Sequence, residues 1–171
     1  YKPGTTVAGD LTMFYNGLKE NGSGITAGAT LTNLGGKISY TNDARGRDYI
    51  PANLGLGAMY HATIDETSKI SFGVDVNKLL VPTPPNDTSA QALTDYRSKS
   101  VLGSWFSSFG DAPGGFGEEM REFQVSAGAE YAYNDLFFAR LGYFYEDKTK
   151  GNRRFFSAGI GVKYNRLGFN F

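Results

Sequence analysis

The sequence predicts an all-β fold, an antiparallel transmembrane β-barrel, from three observations. Apolar and polar residues alternate with a period of two over eight segments, which is typical of strands with two unlike faces. Aromatic residues make up 15% of the 171 residues and Gly contributes 23, a composition that favours strands over helices. No apolar run approaches the roughly 18 residues that a transmembrane helix requires.

The predicted strands follow one another with no credible amphipathic helix between them. In the segment 123–133, for example, Phe123 and Tyr131 fall on one face, while Gln124 and Glu130 fall on the other. The same alternation predicts eight strands, at 7–15, 26–32, 53–64, 70–77, 123–133, 137–145, 156–164 and 167–171.

Strand length and face composition indicate that the apolar face meets lipid. Strands of roughly 9–12 residues suffice for a tilted membrane crossing. The polar face is rich in Gly, Ser and Thr and carries about one charge per strand, fewer than a soluble surface normally does. Tyr recurs at strand ends, where an interfacial aromatic girdle belongs. The charges expected to pair inside the barrel are Asp10, Asp75, Glu130, Arg140 and Lys163.

Two kinds of connection alternate along the chain and predict its orientation, because outer-membrane barrels have short periplasmic turns and long extracellular loops. The short connections are 65–69, 134–135, 165–166 and the somewhat longer 16–23. The long connections are 41–52, 78–119 and 146–154. This parity places both chain ends at the extracellular rim, so we expect one partial barrel domain over 1–171, with strands missing at both ends. A complete barrel has both termini in the periplasm, so a closed eight-stranded barrel made from this chain alone would put the long loops on the periplasmic side.

The oversized loop at about 78–119 is the predicted functional region. A structureless loop of roughly 40 residues is uncommon in a compact domain and usually has a function. We expect its apolar residues and its proline run to form a protein-docking surface. The alternative is that the loop folds over its own barrel mouth and buries them there. The candidate partner-binding residues are Leu79, Leu80, Val81, Pro82, Pro84, Pro85, Trp105, Phe106, Phe109 and Phe116.

Composition argues against several other classes of function. With 17 basic and 17 acidic residues the chain has no electrostatic footprint for nucleic acid. Cys is absent, so neither a disulfide framework nor a thiol nucleophile is expected. His61 is the only histidine and reads as a polar lumen residue, not as a metal ligand. We therefore predict no enzyme, no catalytic residue, no metal and no cofactor.

Several motifs resemble known outer-membrane proteins. NLGGKISY at 33–40 and IPANLGLG at 50–57 resemble the FadL-like outer-membrane barrels. DVNKLLVPTPP at 75–85, FSSFGDAPGGF at 106–116 and TKGNRRFF at 149–156 are similar to the PorV family of the Bacteroidota type IX secretion system. These motifs span most of the chain from about residue 30 onward, whereas the first 25 residues match only in barrel character.

The resemblance implies a non-enzymatic component of the outer membrane. It implies the C-terminal part of a FadL-like barrel of about 14 strands, with about eight in this chain and the long loop outside the cell. The implied partners are a SprA/Sov-type translocon, cargo proteins with a C-terminal secretion-signal domain, the PorU-type attachment machinery, and outer-membrane lipid or lipopolysaccharide. Cargo leaving the translocon would be carried to the attachment machinery.

Two alternatives stay open beside this interpretation. The first is a FadL-type outer-membrane transporter of hydrophobic small molecules, which should have an apolar pocket in its lumen, whereas the inward face here is mostly small and polar. The second is a soluble β-rich binding module, which partitioning into solubilised outer membranes would exclude.

Overall fold

A computed structural model describes residues 3–40 and 46–171 of the chain. Residues 41–45, which belong to the predicted long connection at 41–52, lie outside the described residues. The described residues form two compact units. One unit falls within Tyr1–Thr12, Thr30–Leu54 and Lys78–Phe123, and the other comprises Met13–Ala29, Gly55–Asn77 and Gln124–Phe171. The assignment of the whole chain to one barrel domain stays a prediction.

Ten strands lie in the described part of the chain. They are β1 (Ala8–Leu18), β2 (Gly24–Gly35), β3 (Ile38–Ser39), β4 (Arg47–Asp48), β5 (Asn53–Thr63), β6 (Ser68–Leu79), β7 (Gln124–Tyr133), β8 (Phe137–Tyr145), β9 (Arg154–Tyr164) and β10 (Leu167–Asn170). Eight of them form one sheet in the order β1-β2-β5-β6-β7-β8-β9-β10, and β3 pairs with β4 in a separate antiparallel ribbon. The eight-stranded antiparallel prediction is therefore confirmed.

Two expectations about the connections are wrong. The first connection is short, because β1 continues to Leu18 and leaves only residues 19–23 before β2. The large loop is not structureless. Between β6 and β7 it contains the helices α1 (Ala90–Ser98), α2 (Val101–Ser107) and α3 (Phe116–Glu119), followed by a 3-10 turn at Met120–Glu122.

The register of β6 to β9 aligns apolar residues into rows on one side of the sheet, called here the apolar face. Residues of one face alternate with residues of the other along each strand. One row consists of Ile70, Tyr131, Ala139 and Ile160, the next of Phe72, Ala129, Leu141 and Ala158, and a third of Val74, Ala127, Tyr143 and Phe156.

The apolar face is not covered by other parts of the described chain. Leu141 and Phe156 are 68% and 85% exposed. Among the described residues, the buried apolar side chains are Ala52, Leu80, Pro82, Ala112 and Ala132, which are too few and too small for the core of a soluble sandwich. A sheet that leaves such a face bare suits a lipid environment, as expected of a membrane barrel.

The opposite face carries polar groups that bond to one another. Arg140 Nε lies 2.5 Å from Glu130 Oε2, and Arg140 Nη1 donates to Asn170 Oδ1 at 2.7 Å. The predicted pairing of lumen charges is thus confirmed for Glu130 and Arg140. His61 lies between the hydroxyls of Thr26 and Ser71, with its ring nitrogens at 3.0 and 2.9 Å. Its ring is engaged in hydrogen bonds, in agreement with a structural lumen role.

Tight turns close the hairpins at the short-connection end. Asn134 and Asp135 both adopt a positive φ, 54° and 52°, between β7 and β8. A turn with two left-handed residues matches the twist of the flanking strands, and Asn and Asp tolerate that conformation best after Gly. The sequence pair Asn134-Asp135 therefore fixes the register in which Tyr133 pairs with Phe137.

The close approach of β1 and β2 at Gly24 gives a test of this sheet. Gly24 has φ +151°, and a Cβ there would lie 2.3 Å from the carbonyl oxygen of Gly17. We expect Gly24→Ala to lower the free energy of unfolding by about 2 kcal/mol, because strain and a backbone clash add. Urea unfolding of the full-length protein in detergent measures this. Gly9→Ala, where a Cβ meets nothing within 4 Å, is the matched control. Equal midpoints for the two variants would contradict the prediction.

Candidate functional site

The helices of the loop between β6 and β7 begin at serine caps. The Ser89 hydroxyl accepts from the Ala92 amide at 3.2 Å at the start of α1, and the Ser100 hydroxyl accepts from the Gly103 amide at 3.0 Å at the start of α2. Such caps satisfy amides that have no partner within the helix. α1 buries none of its residues, so an apolar stripe of helical period is missing there. That absence is why alternation alone did not reveal the helix.

A buried ion cluster, called here the loop clamp, joins the two ends of the loop. Lys78, at the end of β6, is 1% exposed. Its Nζ lies 2.7 Å from Glu119 Oε1 and 2.8 Å from Glu122 Oε2. The contact with Glu119 Oε1 is an ion pair without hydrogen-bond alignment, since that oxygen has no hydrogen-bond partner. The aromatic rings of Phe109 and Phe123 face the ammonium, with centroids at 5.7 and 5.3 Å.

Further hydrogen bonds extend the loop clamp into the proline run and the Gly-rich turn. Thr83 Oγ1 lies 2.9 Å from Asp111 Oδ1 and 3.0 Å from Glu122 Oε1, so its single hydrogen serves one of the two carboxylates. The Ala112 amide donates to Glu119 Oε2 at 3.1 Å. The loop is therefore held at its base from both strands, and its entry and exit are tied to each other.

The long connection 36–52 holds the carboxyl end of α1. Lys37 Nζ donates to the carbonyl oxygens of Arg97 and Lys99, both at 2.6 Å. Tyr49 Oη lies 2.8 Å from the Lys99 carbonyl oxygen. The final carbonyls of a helix have no partner within it and carry partial negative charge, so an ammonium is well placed there.

Burial changes the acidity of the two groups that hold α1. It lowers the pKa of Lys37 from its ordinary value, with a further lowering from the nearby charge of Arg47. Burial likewise raises the pKa of the Tyr49 phenol, and the neighbouring Tyr96 adds to the rise.

The structure divides the predicted docking residues between the interior and the surface of the loop. Leu80 and Pro82 are buried, and the Leu80 amide donates to the Ala52 carbonyl oxygen at 2.7 Å. Val81, Pro85 and Trp105 are half-buried. The exposed members are Leu79, Pro84, Phe106, Phe109 and Phe116. Whether any of them touches a partner stays a prediction.

Sequence reasoning missed two exposed apolar residues beside the predicted set. Leu102 precedes Phe106 by four residues on α2, and Met120 follows Phe116 by four. Residues four apart lie on one face of an α-helix, so Leu102 and Phe106 present a joined apolar surface on α2. Met120 lies in the 3-10 turn that directly follows α3. Phe106 and Phe116 are each 80% exposed. The spacing of these pairs in the sequence was the available signal.

A second carboxylate cluster, called here the hairpin knot, organises the connection 146–153 between β8 and β9. Glu146 is 4% exposed. Arg153 donates to both of its carboxylate oxygens, Nε to Oε2 and Nη2 to Oε1, each at 2.8 Å. Gln124 Nε2 donates to Oε1 at 2.9 Å. These hydrogen bonds from Arg153 lower the pKa of the Glu146 carboxyl. A bidentate pair of this kind fixes the hairpin geometry.

The described residues hold no metal-binding cluster, meaning no group of three or more His, Asp or Glu side chains placed to ligate an ion. The predicted absence of a metal and of a cofactor stays a prediction. In the described ranges 3–40 and 46–171, no helix is both long enough and apolar enough to cross a membrane.

The sheet and its loops together define a class of protein. An antiparallel sheet of long strands, with one bare apolar face and hydrogen-bonded polar residues on the other, is the sheet of a transmembrane β-barrel.

Residues 4–86, just under half of the chain, match the family model of the type IX secretion system protein PorV. The predicted resemblance is confirmed. The match includes residues 4–25, for which the sequence showed only barrel character. It ends before α1, so the motifs at 106–116 and 149–156 lie beyond it.

The family assigns the chain to the outer membrane as a component of the type IX secretion system. PorV is a family of secretion-system components and not of enzymes. No curated protein sequence matches the chain.

Removal of the buried ammonium tests the loop clamp. Lys78→Met leaves the buried Glu119 and the half-buried Glu122 without their cation, and we expect the free energy of local loop opening to fall by roughly 3–5 kcal/mol. Hydrogen exchange of the amides at 80–122 in the full-length protein measures this. The triple variant Lys78→Met, Glu119→Gln, Glu122→Gln should recover protection, since it removes the unpaired charges as well.

Lys99→Met is the matched control for the loop clamp. Lys99 is 46% exposed and lies 3.8 Å from Asp111, so its loss should cost less than about 1 kcal/mol. If the amides at 80–122 were as well protected from hydrogen exchange in Lys78→Met as in the unchanged protein, the clamp would be contradicted.

The hairpin knot predicts a pH dependence. The folded pKa of Glu146 lies below its ordinary value of 4.5, so its stabilisation is fully present above about pH 4.5 and is lost as the pH falls through the lower, folded value. Urea midpoints of the full-length protein between pH 7 and pH 3 should therefore fall less steeply in Glu146→Gln than in the unchanged protein. Glu66→Gln, which removes an exposed carboxyl from a short turn, should keep the steeper fall.

Proposed function

We propose that this outer-membrane component binds the translocon and the exported cargo proteins through the exposed apolar residues of the loop between β6 and β7. The surface consists of Leu79, Phe106, Phe109 and Phe116, extended by Leu102 and Met120. Exposed apolar clusters rimmed by polar residues mark protein-interaction sites. Aromatic side chains supply much of the binding energy in such sites.

One observation carries this proposal: the loop is folded, yet it leaves Phe106 and Phe116 almost wholly exposed, at 80% each. In a loop that collapsed on its own barrel mouth the largest side chains would be the first to be buried. Here Leu80 and Pro82 take the interior positions, and the loop clamp fixes the base. A preformed surface also loses little conformational entropy when a partner binds.

Connection lengths support an extracellular position for this surface. Residues 19–23, 64–67, 134–136 and 165–166 are the short connections, and 36–52, 80–123 and 146–153 are the long ones. The two sets alternate along the chain. In outer-membrane barrels the short turns face the periplasm, so the long set would face outward.

Transfer of cargo to a PorU-type attachment machinery completes the proposed function. A surface that passes cargo onward must also release it. Exposed apolar contacts without buried charge pairs suit a moderate affinity for cargo, from which cargo can dissociate. A FadL-type transport role finds less support, because the inward face around Glu130, Arg140 and His61 is polar and hydrogen-bonded.

Co-purification tests the docking surface. We expect Phe106→Ser with Phe116→Ser to reduce recovery of translocon and cargo about tenfold, since each aromatic hot spot contributes 1 kcal/mol or more. Full-length protein purified from its native outer membrane, with bound proteins quantified by mass spectrometry, supplies the measurement. Leu93→Ser, which removes an apolar residue of α1 outside the proposed surface, is the control. Full recovery by a correctly folded double variant would refute docking through these residues.

A further inference from the structure

The hairpin knot leaves the connection between β8 and β9 rigid and positively charged. It contains the cations Lys148, Lys150 and Arg153 and the anions Glu146 and Asp147, and Arg154 follows as the first residue of β9. Glu146 is fully engaged by Arg153, Gln124 and its own hairpin. The Asp147 carboxylate accepts from the Thr149 amide and hydroxyl at 2.9 and 2.7 Å. The acidic groups are thus occupied within the hairpin, and net positive charge remains on its surface.

Arg154 directs part of this charge to the apolar face of the sheet. It opens β9 in the same alternation as Phe156, Ala158 and Ile160, and it pairs across the strands with Tyr145. Its guanidinium carbon lies 4.7 Å from the centre of the Tyr145 ring. Only its Nε makes a protein hydrogen bond among the described residues, to the Glu146 carbonyl oxygen at 3.3 Å. The outer nitrogens of the guanidinium remain open to a ligand.

An aromatic layer lies directly beneath this cation. Tyr143 and Phe156 pack with ring centroids 4.6 Å apart on the apolar face, in the next row of that face below Arg154 and Tyr145. Below them come Leu141 and Ala158. The order from solvent to membrane is therefore cations, aromatic rings and aliphatic side chains, which is the order of a bilayer from headgroup to acyl chain.

The other end of β8 and β9 carries less net positive charge. The connections 134–136 and 165–166 there carry one acidic residue, Asp135, and one basic residue, Arg166, and Lys163 lies near the end of β9. Lys148, exposed on the long hairpin, has no ion-pair or hydrogen-bond partner among the described residues. The asymmetry distinguishes this end of β8 and β9 from an ordinary solvated hairpin.

We propose that Lys148 and Arg154 bind a phosphate group of an outer-membrane lipid headgroup, with the acyl chains of that lipid lying along Phe156 and Leu141. The planar guanidinium donates two parallel hydrogen bonds to phosphate, and the lysine adds a second positive charge. Placement beside the bare apolar face favours a lipid over a soluble anion or an acidic protein. Because the site rests on the orientation given in the proposed function, the headgroup is that of the outer leaflet, the phosphorylated glucosamine of lipid A.

Native mass spectrometry of the full-length protein in detergent tests the lipid site. The probes are diphosphoryl lipid A, the same lipid after removal of both phosphates, phosphatidylglycerol and inorganic phosphate. We expect Lys148→Gln with Arg154→Gln to reduce retention of diphosphoryl lipid A about tenfold, and removal of the lipid phosphates to have the same effect on the unchanged protein. Lys163→Gln with Arg166→Gln, which removes two cations near the other end of β9, should leave retention unchanged.

Each remaining outcome decides against the site or against its assignment. Unchanged retention by the Lys148 and Arg154 variant, or an equal loss in the control, overturns the site. Displacement of lipid A by millimolar inorganic phosphate overturns the lipid as its source. Stronger retention of phosphatidylglycerol than of lipid A overturns the outer-leaflet assignment and the orientation with it. Loss of protein partners without loss of lipid A indicates an acidic protein instead. Failure of docking through Phe106 and Phe116 leaves all of these readouts intact, so the two proposals fail separately.

Discussion

The buried ammonium of Lys78 is the contact on which the loop depends. β6 and β7 are neighbours in the sheet, yet residues 80–123 intervene between them in the chain. Closing such an excursion costs conformational entropy, and Lys78 with Glu119 and Glu122 offsets that cost at the point where the two strands would otherwise separate. Since the charges lie inside, the larger apolar side chains are left for the surface. A wholly apolar base would have competed with Phe106 and Phe116 for the interior.

The sheet could be predicted from the sequence because a period of two is a local property. Each strand carries its own alternation, and left-handed turn pairs such as Asn134-Asp135 mark where it ends. The end of β1 was predicted too early in the chain, and the start of β2 too late. Gly17 and Gly24 interrupt the apolar pattern there, where the two backbones approach each other. The helices were missed because α1 has no buried apolar face and therefore no apolar pattern of helical period. The capping residues Ser89 and Ser100 were the local signals for the helix starts.

The candidate site was predictable in composition but not in arrangement. Leu80 and Phe106 look alike in a sequence, and only the tertiary contacts decide that one is buried and the other exposed. No local pattern connects Lys78 with Glu119, because the contact spans most of the loop. The family match ends at residue 86, before the exposed aromatics. The part of the chain that would give specificity is therefore also the part that periodicity and the family-model match describe least.

The bond from Lys37 to the end of α1 has a consequence for protein engineering. The connection 36–52 and the helical loop have to be transferred together, because Lys37 and Tyr49 donate hydrogen bonds to the carbonyl oxygens at the end of α1, which have no partner within the helix. A chimaera that transplants the helical loop alone onto another barrel would leave those carbonyls to solvent and lose the helix's anchorage. The transferable module comprises two segments that are distant in the chain, and loop exchange between relatives succeeds or fails according to whether both are moved together.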